Sequence, residues 1–110
     1  MSKTKPIKQV DQALLDTPKQ LFRFNMAGVI CGELIKEDGN KKYIKNALKI
    51  HYWEGALDTF ALAVLGTKKI DSCRISETVP MVLIDEVAIE QHDMSPKSIE
   101  VFYTATPTRF

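Results

Sequence analysis

Cysteine is scarce in this chain: Cys31 and Cys73 are the only two among 110 residues. Zinc sites need closely spaced ligands such as C-x-x-C or H-x-x-x-H, and neither cysteine, nor His51 or His92, has such a neighbour. No metal site or disulfide framework is expected, and buried reduced thiols follow. Long apolar runs are missing too. The longest, "FALAVL", is far too short to cross a bilayer, and the N-terminal "MSKTKPIKQVDQ" has no apolar core of a secretion signal. No membrane contact is expected, and a cytoplasmic location follows. Charge of one sign is also absent, because 15 Lys and Arg residues face 14 Asp and Glu residues for a net charge of +1. Attraction for a polyanion would therefore need a local patch. There is no nucleophile elbow, no phosphate-cradling glycine loop, and the acidic pairs Glu37-Asp38 and Asp85-Glu86 fall at turns. We expect no catalytic residues, no cofactor and no enzyme. A small enzyme would need a pocket bringing His51 or His92 near Cys31 or a carboxylate.

What is present is ordinary globular composition, 45% hydrophobic and 26% charged, in a length suited to one domain. Residues 1–6 read as a polar, lysine-bearing tail and 7–110 as a single domain. Ile7, Val10, Ala13 and Leu14 recur at helical spacing, and Thr17-Pro18 is a natural stop. From Leu21 the period changes to two. Phe22, Phe24 and Met26 share one strand face while Arg23 and Asn25 share the other. In "VICGELIK" an interior Gly32 signals a bulge or sharp bend where another backbone passes close. Asp38-Gly39-Asn40 is turn chemistry. The next strand then carries Ile44, Leu48, Ile50 and Tyr52 on one face, with Lys45, Lys49 and His51 on the other.

Residues 54–78 form a variable insert whose "GALDTFALAVLG" fits a short helix or a strand pair. "VPMVLIDEVAIEQHD" reads as a strand with Pro80 near its start, followed by a second extended piece. "SIEVFYTAT" reads as a closing strand with Ile99, Val101 and Tyr103 on one face. The expected fold is mainly β: a small five-stranded SH3- or Sm-like barrel with an N-terminal helix.

The order "LFRFNMAGVICGELIKEDGNKKYIKNALKI", an insert, then "TVPMVLIDEVAIEQHD" resembles the Sm-like layout of helix, strand, glycine-spaced bent strand, third strand, variable segment and closing pair. "KNALKI" and the spacing from Ile84 to Ile89 are also similar to small phage-encoded proteins of that broad group. The resemblance covers about residues 8–92. It implies a non-enzymatic homo-oligomeric ring that contacts nucleic acid or a protein. RNA-binding Sm proteins carry an Asp-x-x-x-Asn element and an Arg-Gly pair. Here Asp38 with Asn40, or Asn46, only approximates the first, and Ile84-Asp85-Glu86 stands where the basic pair belongs. An acidic turn there repels phosphate.

Two surfaces become candidate sites. Lys45, Lys49, His51 and Trp53, with Tyr52, could stack a single-stranded base and hold its phosphate; alternatively, Tyr52 and Trp53 finish the core while the lysines solvate an outer face. The closing strand, with Val101, Phe102 and Tyr103, is apolar on both sides and could pair with Val82 and Ile84 of "VPMVLI" across a homo-oligomer interface. The other reading sandwiches it between the barrel and a helix. The expected function is an Sm-like oligomer binding nucleic acid or a protein partner. The rival is a protein-only interaction or assembly module, such as a phage structural or host-inhibitor factor.

Overall fold

Between Pro18 and Tyr52 the alternation of apolar and polar residues becomes three antiparallel strands joined by tight turns. A computed structural model, which describes residues 11–108, places β1 at Gln20–Phe24, β2 at Gly28–Asp38 and β3 at Lys41–Tyr52. Gly39 supplies the positive φ, 62°, that the β2–β3 turn requires. A short helix, α1 (Gln12–Asp16), precedes β1 and stops before Pro18 as the sequence predicts. Its expected first residues, Ile7 and Val10, and the tail 1–6 lie outside the described residues.

After β3 come α2 (Thr59–Leu65), a single 3-10 turn at Ile70–Ser72, and the two-residue β4 (Arg74–Ile75). The ambiguous insert is thus helical at its centre. Asp58 accepts a hydrogen bond from the Ala61 amide at 2.9 Å, and Gly66 donates to the Leu62 carbonyl at 3.2 Å, so the helix is capped at both ends. Strands β5 (Val79–Asp85) and β6 (Ala88–Asp93) follow, then α3 (Pro96–Tyr103). The six antiparallel strands form an open sheet, with three short helices packed on it. β6 pairs with β1, β1 with β2, and β2 with β3; β3 carries β4 near its end and β5 along its first half.

The expected closing strand is the helix α3. The decisive local signal is Ser95-Pro96: the serine hydroxyl accepts from the Ser98 amide at 3.1 Å, and proline at the first helical turn loses no intrahelical bond. Ser98, Ile99, Phe102 and Tyr103 then fall on one helical face and are buried. That spacing of three and four residues, with a cap to start it, outweighs the alternation of Ile99, Val101 and Tyr103.

A second correction concerns β3. Cys31 pairs with Leu48 but Glu33 pairs with Lys45, so Asn46 and Ala47 together face the single residue Gly32. This is a β-bulge, with Asn46 in the left-handed region at φ 53°. The bulge that Gly32 signals is therefore present, with the extra residue on the opposite strand. It rotates β3, so Ile44 does not share a face with Leu48 and Ile50. Leu48 and Ile50 join Leu21, Val29 and Cys31 beneath Leu62, Ile99, Phe102 and Tyr103 of the helices. Ile44 and Ala47 join Phe22, Phe24 and Ile30 on the other side, where Val82 and Ile84 of β5 pack against them. Each large side chain buried in these layers contributes about 1.5–3 kcal/mol. Cys31 is wholly buried, and burial pushes its thiol up to about 12.

Candidate functional site

Strand β5 pairs with β3 alone among the described residues, so its other edge presents unmatched amides and carbonyls. Period two sends Val82 and Ile84 inward onto the core and leaves Val79, Met81 and Leu83 between 42% and 48% exposed on the outer face. The strand is therefore apolar on both faces. On the outer face, Met81 lies opposite Lys45 and Leu83 opposite Tyr43, whose ring sits 5.4 Å below the Lys36 ammonium.

The corner between β5 and β6 is fixed by Glu86. Its carboxylate accepts from the Met26 and Ala27 amides at 3.0 and 2.8 Å in the β1–β2 turn. Its carbonyl accepts from the buried Lys42 ammonium at 2.9 Å. The acidic pair thus has a structural use at Glu86: it ties the end of β5 to the neighbouring turn. Sequence reasoning missed it because nothing in the order of residues reports which amides a turn carboxylate will meet.

The expected nucleic-acid residues are divided by the bulge. Lys49 pairs with Ile30 and, with His51, lies on the side of Ile44 and Ala47. Lys45 pairs with Glu33 on the opposite side. His51 is exposed, whereas Trp53 is half-buried against the helix-side core. Tyr52 is exposed and its hydroxyl donates to Glu54 at 2.7 Å. Of the expected interface residues, Val82 and Ile84 are half-buried on the inner face of β5. Val101 is half-buried on α3, and Phe102 and Tyr103 are fully buried beneath it. The exposed groups of the β5 edge are their neighbours Val79, Met81 and Leu83.

A polar cluster joins β1, β6 and α2. Glu90 accepts from the Thr59 hydroxyl, from His92 Nε2 at 2.9 Å and from Arg23 at 3.0 Å. One part of the condition for a catalytic reading, a histidine beside a carboxylate, is met at His92, although the cavity that Glu90 lines does not include His92. The carboxylate is already engaged three times over, however, and the Thr59 hydroxyl is directed to Glu90 instead of to the imidazole. These hydrogen bonds, Thr59 first and His92 next, hold Glu90 at about 2 against an ordinary carboxylate value of 4.5. A depressed folded-state value means that the charged form is favoured by folding, so its contribution is present above 4.5 and fades as pH falls towards 2. Thermal melts across this window should show the wild-type protein losing stability more steeply than Glu90→Gln, the two curves converging near the acid end. Parallel curves would remove Glu90 as the source.

A cavity of about 780 Å³ lies between the 3-10 turn and α3 and reaches Thr108, the last described residue. A smaller one, about 270 Å³, opens beside the start of α2 and is lined by Trp53, Leu57, Phe60 and the Arg23–Glu90 pair. Among the described residues no group of three or more His, Cys, Asp or Glu side chains is placed to hold a metal. No helix among them is long and apolar enough to cross a membrane.

Residues 18–101 match the family model described as "Domain of unknown function (DUF6948)". The chain belongs to that family. The DUF6948 span begins just before β1 and ends within α3, so it takes in all six strands, α2 and the Glu90 cluster. Phe102 and Tyr103, which close the core, follow it. No curated protein and no solved structure matches the chain significantly.

Proposed function

We propose that this DUF6948 domain is a non-catalytic interaction module that self-associates through the open edge of β5. The carrying observation is that β5 combines an unpaired backbone edge with apolar side chains on both faces. Soluble proteins usually blunt such an edge with charge, proline or a cover. Here Pro80 stands near one end and Asp85 at the other, leaving Met81, Val82, Leu83 and Ile84 without either. A second copy is the occupant that best matches this surface. Antiparallel pairing of two β5 strands about Val82 sets Met81 opposite Leu83 of the partner and Pro80 opposite Ile84, apolar against apolar on each face.

A finer reading, an SH3- or Sm-like barrel assembling into a ring, has support in the strand order. β6, β1, β2, β3 and β5 follow one another across the sheet, and β5 runs directly into β6 at the Glu86 corner. Pairing β5 with a neighbour's β6 edge is head-to-tail and gives a ring when the rotation between copies closes, whereas β5 on β5 gives a dimer. Nucleic-acid contact has a narrower basis, because Lys45 lies across the sheet from Lys49 and His51.

Sedimentation of the purified protein at micromolar concentration tests the proposal. The wild type should sediment as a dimer or ring, and Leu83→Lys should weaken that contact at least tenfold with an unchanged circular dichroism spectrum. A wild type that stays monomeric, or an assembly indifferent to Leu83→Lys, would overturn it.

A further inference from the structure

The cavity of about 780 Å³ between the 3-10 turn and α3 has the size of a small-molecule site, and no β5 residue lines it. Hydrogen bonds fix its frame. After α3 the chain returns through residues 104–108 to the edge strand β4. There the Thr108 amide donates to the Ile75 carbonyl at 2.9 Å, and the Ile75 amide donates to the Thr108 hydroxyl at 3.1 Å. At the other end of this segment the Thr104 amide donates to the Glu100 carbonyl at 3.1 Å. One wall is the 3-10 turn with the start of β4, the other is the last turns of α3, and the strap joining them is tied at both ends. A ligand entering here orders no loop.

The polar groups of the lining divide into those with partners and those without. The Thr67 hydroxyl donates to the Glu54 carbonyl, and the Thr104 hydroxyl donates to the Glu100 carbonyl at 2.6 Å. Asp71 and Thr106 have partners as well. What is left is a cation on the β4 wall and an anion on the helix wall. Arg74 and Glu100 are both exposed, and neither side chain has a hydrogen-bond or ion-pair partner among the described residues. Opposite charges lining one cavity attract, yet these two do not meet, so a gap separates them. The Ser72 hydroxyl, on the Arg74 wall, is likewise without a partner among the described residues. Ile70, Val101 and Ala105 add half-buried apolar surface. No aromatic ring lines the cavity, so nothing in it stacks a nucleobase. A phosphate would meet Glu100 and Asp71 as well as Arg74, and a simple amine would meet Arg74. A molecule carrying both charges suits both walls.

We propose that this cavity binds a small zwitterion of the amino-acid type. Arg74 and Ser72 take its carboxylate, Glu100 takes its ammonium, and Ile70, Val101 and Ala105 receive its aliphatic body. A guanidinium grips a carboxylate through two parallel N–H donors, and both end contacts are charge-assisted. Because both anchors are open to water, affinity falls in the micromolar to millimolar range. The volume accommodates a dipeptide as well as a free amino acid.

Calorimetric titration of the full chain with dileucine, with its N-acetyl and C-amide forms, and with leucine provides the test. Dileucine should bind, and each blocked form should bind at least fivefold more weakly. The variants cross with the blocked ends. Arg74→Gln should weaken dileucine and N-acetyl-dileucine and leave the amide unchanged. Glu100→Gln should weaken dileucine and the amide and leave the N-acetyl form unchanged; circular dichroism should show both variants folded. Leu83→Lys should not alter binding, which separates this site from the β5 edge. Tighter binding of leucine than of dileucine keeps the proposal and makes a free amino acid the ligand. No heat from either at about 10 mM overturns it, as do blocked forms that bind equally well or variants that fail to discriminate the two ends. Binding gained only after deletion of Arg109 and Phe110, which follow Thr108 outside the described residues, would make that segment the occupant and also overturn it.

Discussion

Gly32→Ala is expected to destabilise the domain by about 2–3 kcal/mol, a large effect for one added methyl group. A Cβ at this position would stand 2.4 Å from Ile44 Cγ2 and 3.0 Å from the Lys45 carbonyl oxygen. Ile44 cannot swing away, because it is fully buried and branched at Cβ. The Lys45 carbonyl belongs to the backbone just before the bulge, so relief must come from moving the strand. The conflict is specific to this pair. In an Ile44→Ala background, which has its own cavity cost, the same Gly32→Ala change should cost at least 1 kcal/mol less. Urea unfolding of the four proteins checks this, and additive losses would show that Ile44 is not what the methyl meets.

Much of this geometry was legible. The alternation in "LFRF" and the Asp38-Gly39-Asn40 turn specify β1 and the β2–β3 hairpin, because side-chain period and turn chemistry act locally. Gly32 also announced a close approach. The face change in β3 was not legible: it depends on Asn46 adopting φ 53°, which asparagine tolerates but does not demand. Two lysines sit in the interior, Lys19 at 2% and Lys42 at 3% exposure, and no pattern distinguishes them from surface lysines. Their burial is set by carbonyls and rings brought together from distant segments. α3 is a different kind of miss. Ser95-Pro96 and the spacing of Ile99, Phe102 and Tyr103 were in the sequence, and a competing period-two pattern hid them. That misreading moved the proposed contact strand to the C-terminus, while the exposed strand edge belongs to "VPMVLID", its expected mate.

The buried Lys19 carries the other large expected effect. Its ammonium donates to the Leu14 carbonyl and, at 3.0 Å, to the Thr17 carbonyl. It lies 3.4 Å from the Glu33 carboxylate and 4.9 Å above the centre of the Tyr103 ring. Glu33 in turn accepts from the Asn46 amide at 2.9 Å, and the Tyr103 hydroxyl donates to the Asn46 carbonyl at 2.8 Å. These groups bind α1, the Asn46 bulge and α3 into one network. Burial pushes the Lys19 ammonium below its ordinary value, while Glu33 acts in the opposite direction. Desolvation is therefore a real cost of the arrangement, and its bonds must offset it. Lys19→Met keeps the aliphatic bulk but deprives two carbonyls and a carboxylate of their donor, so a loss of about 2–4 kcal/mol is expected. Adding Glu33→Gln should recover part of it, because the unpaired charge leaves as well. Tyr103→Phe should lose only about 1 kcal/mol, the hydroxyl's single bond. Tyr103→Asp places a carboxylate in the fully buried site and should unfold the domain outright. Circular dichroism with urea titration reads all four. A Lys19→Met protein as stable as the wild type would mean that desolvation consumes everything the ammonium's bonds supply, and that packing alone joins α1 to the sheet.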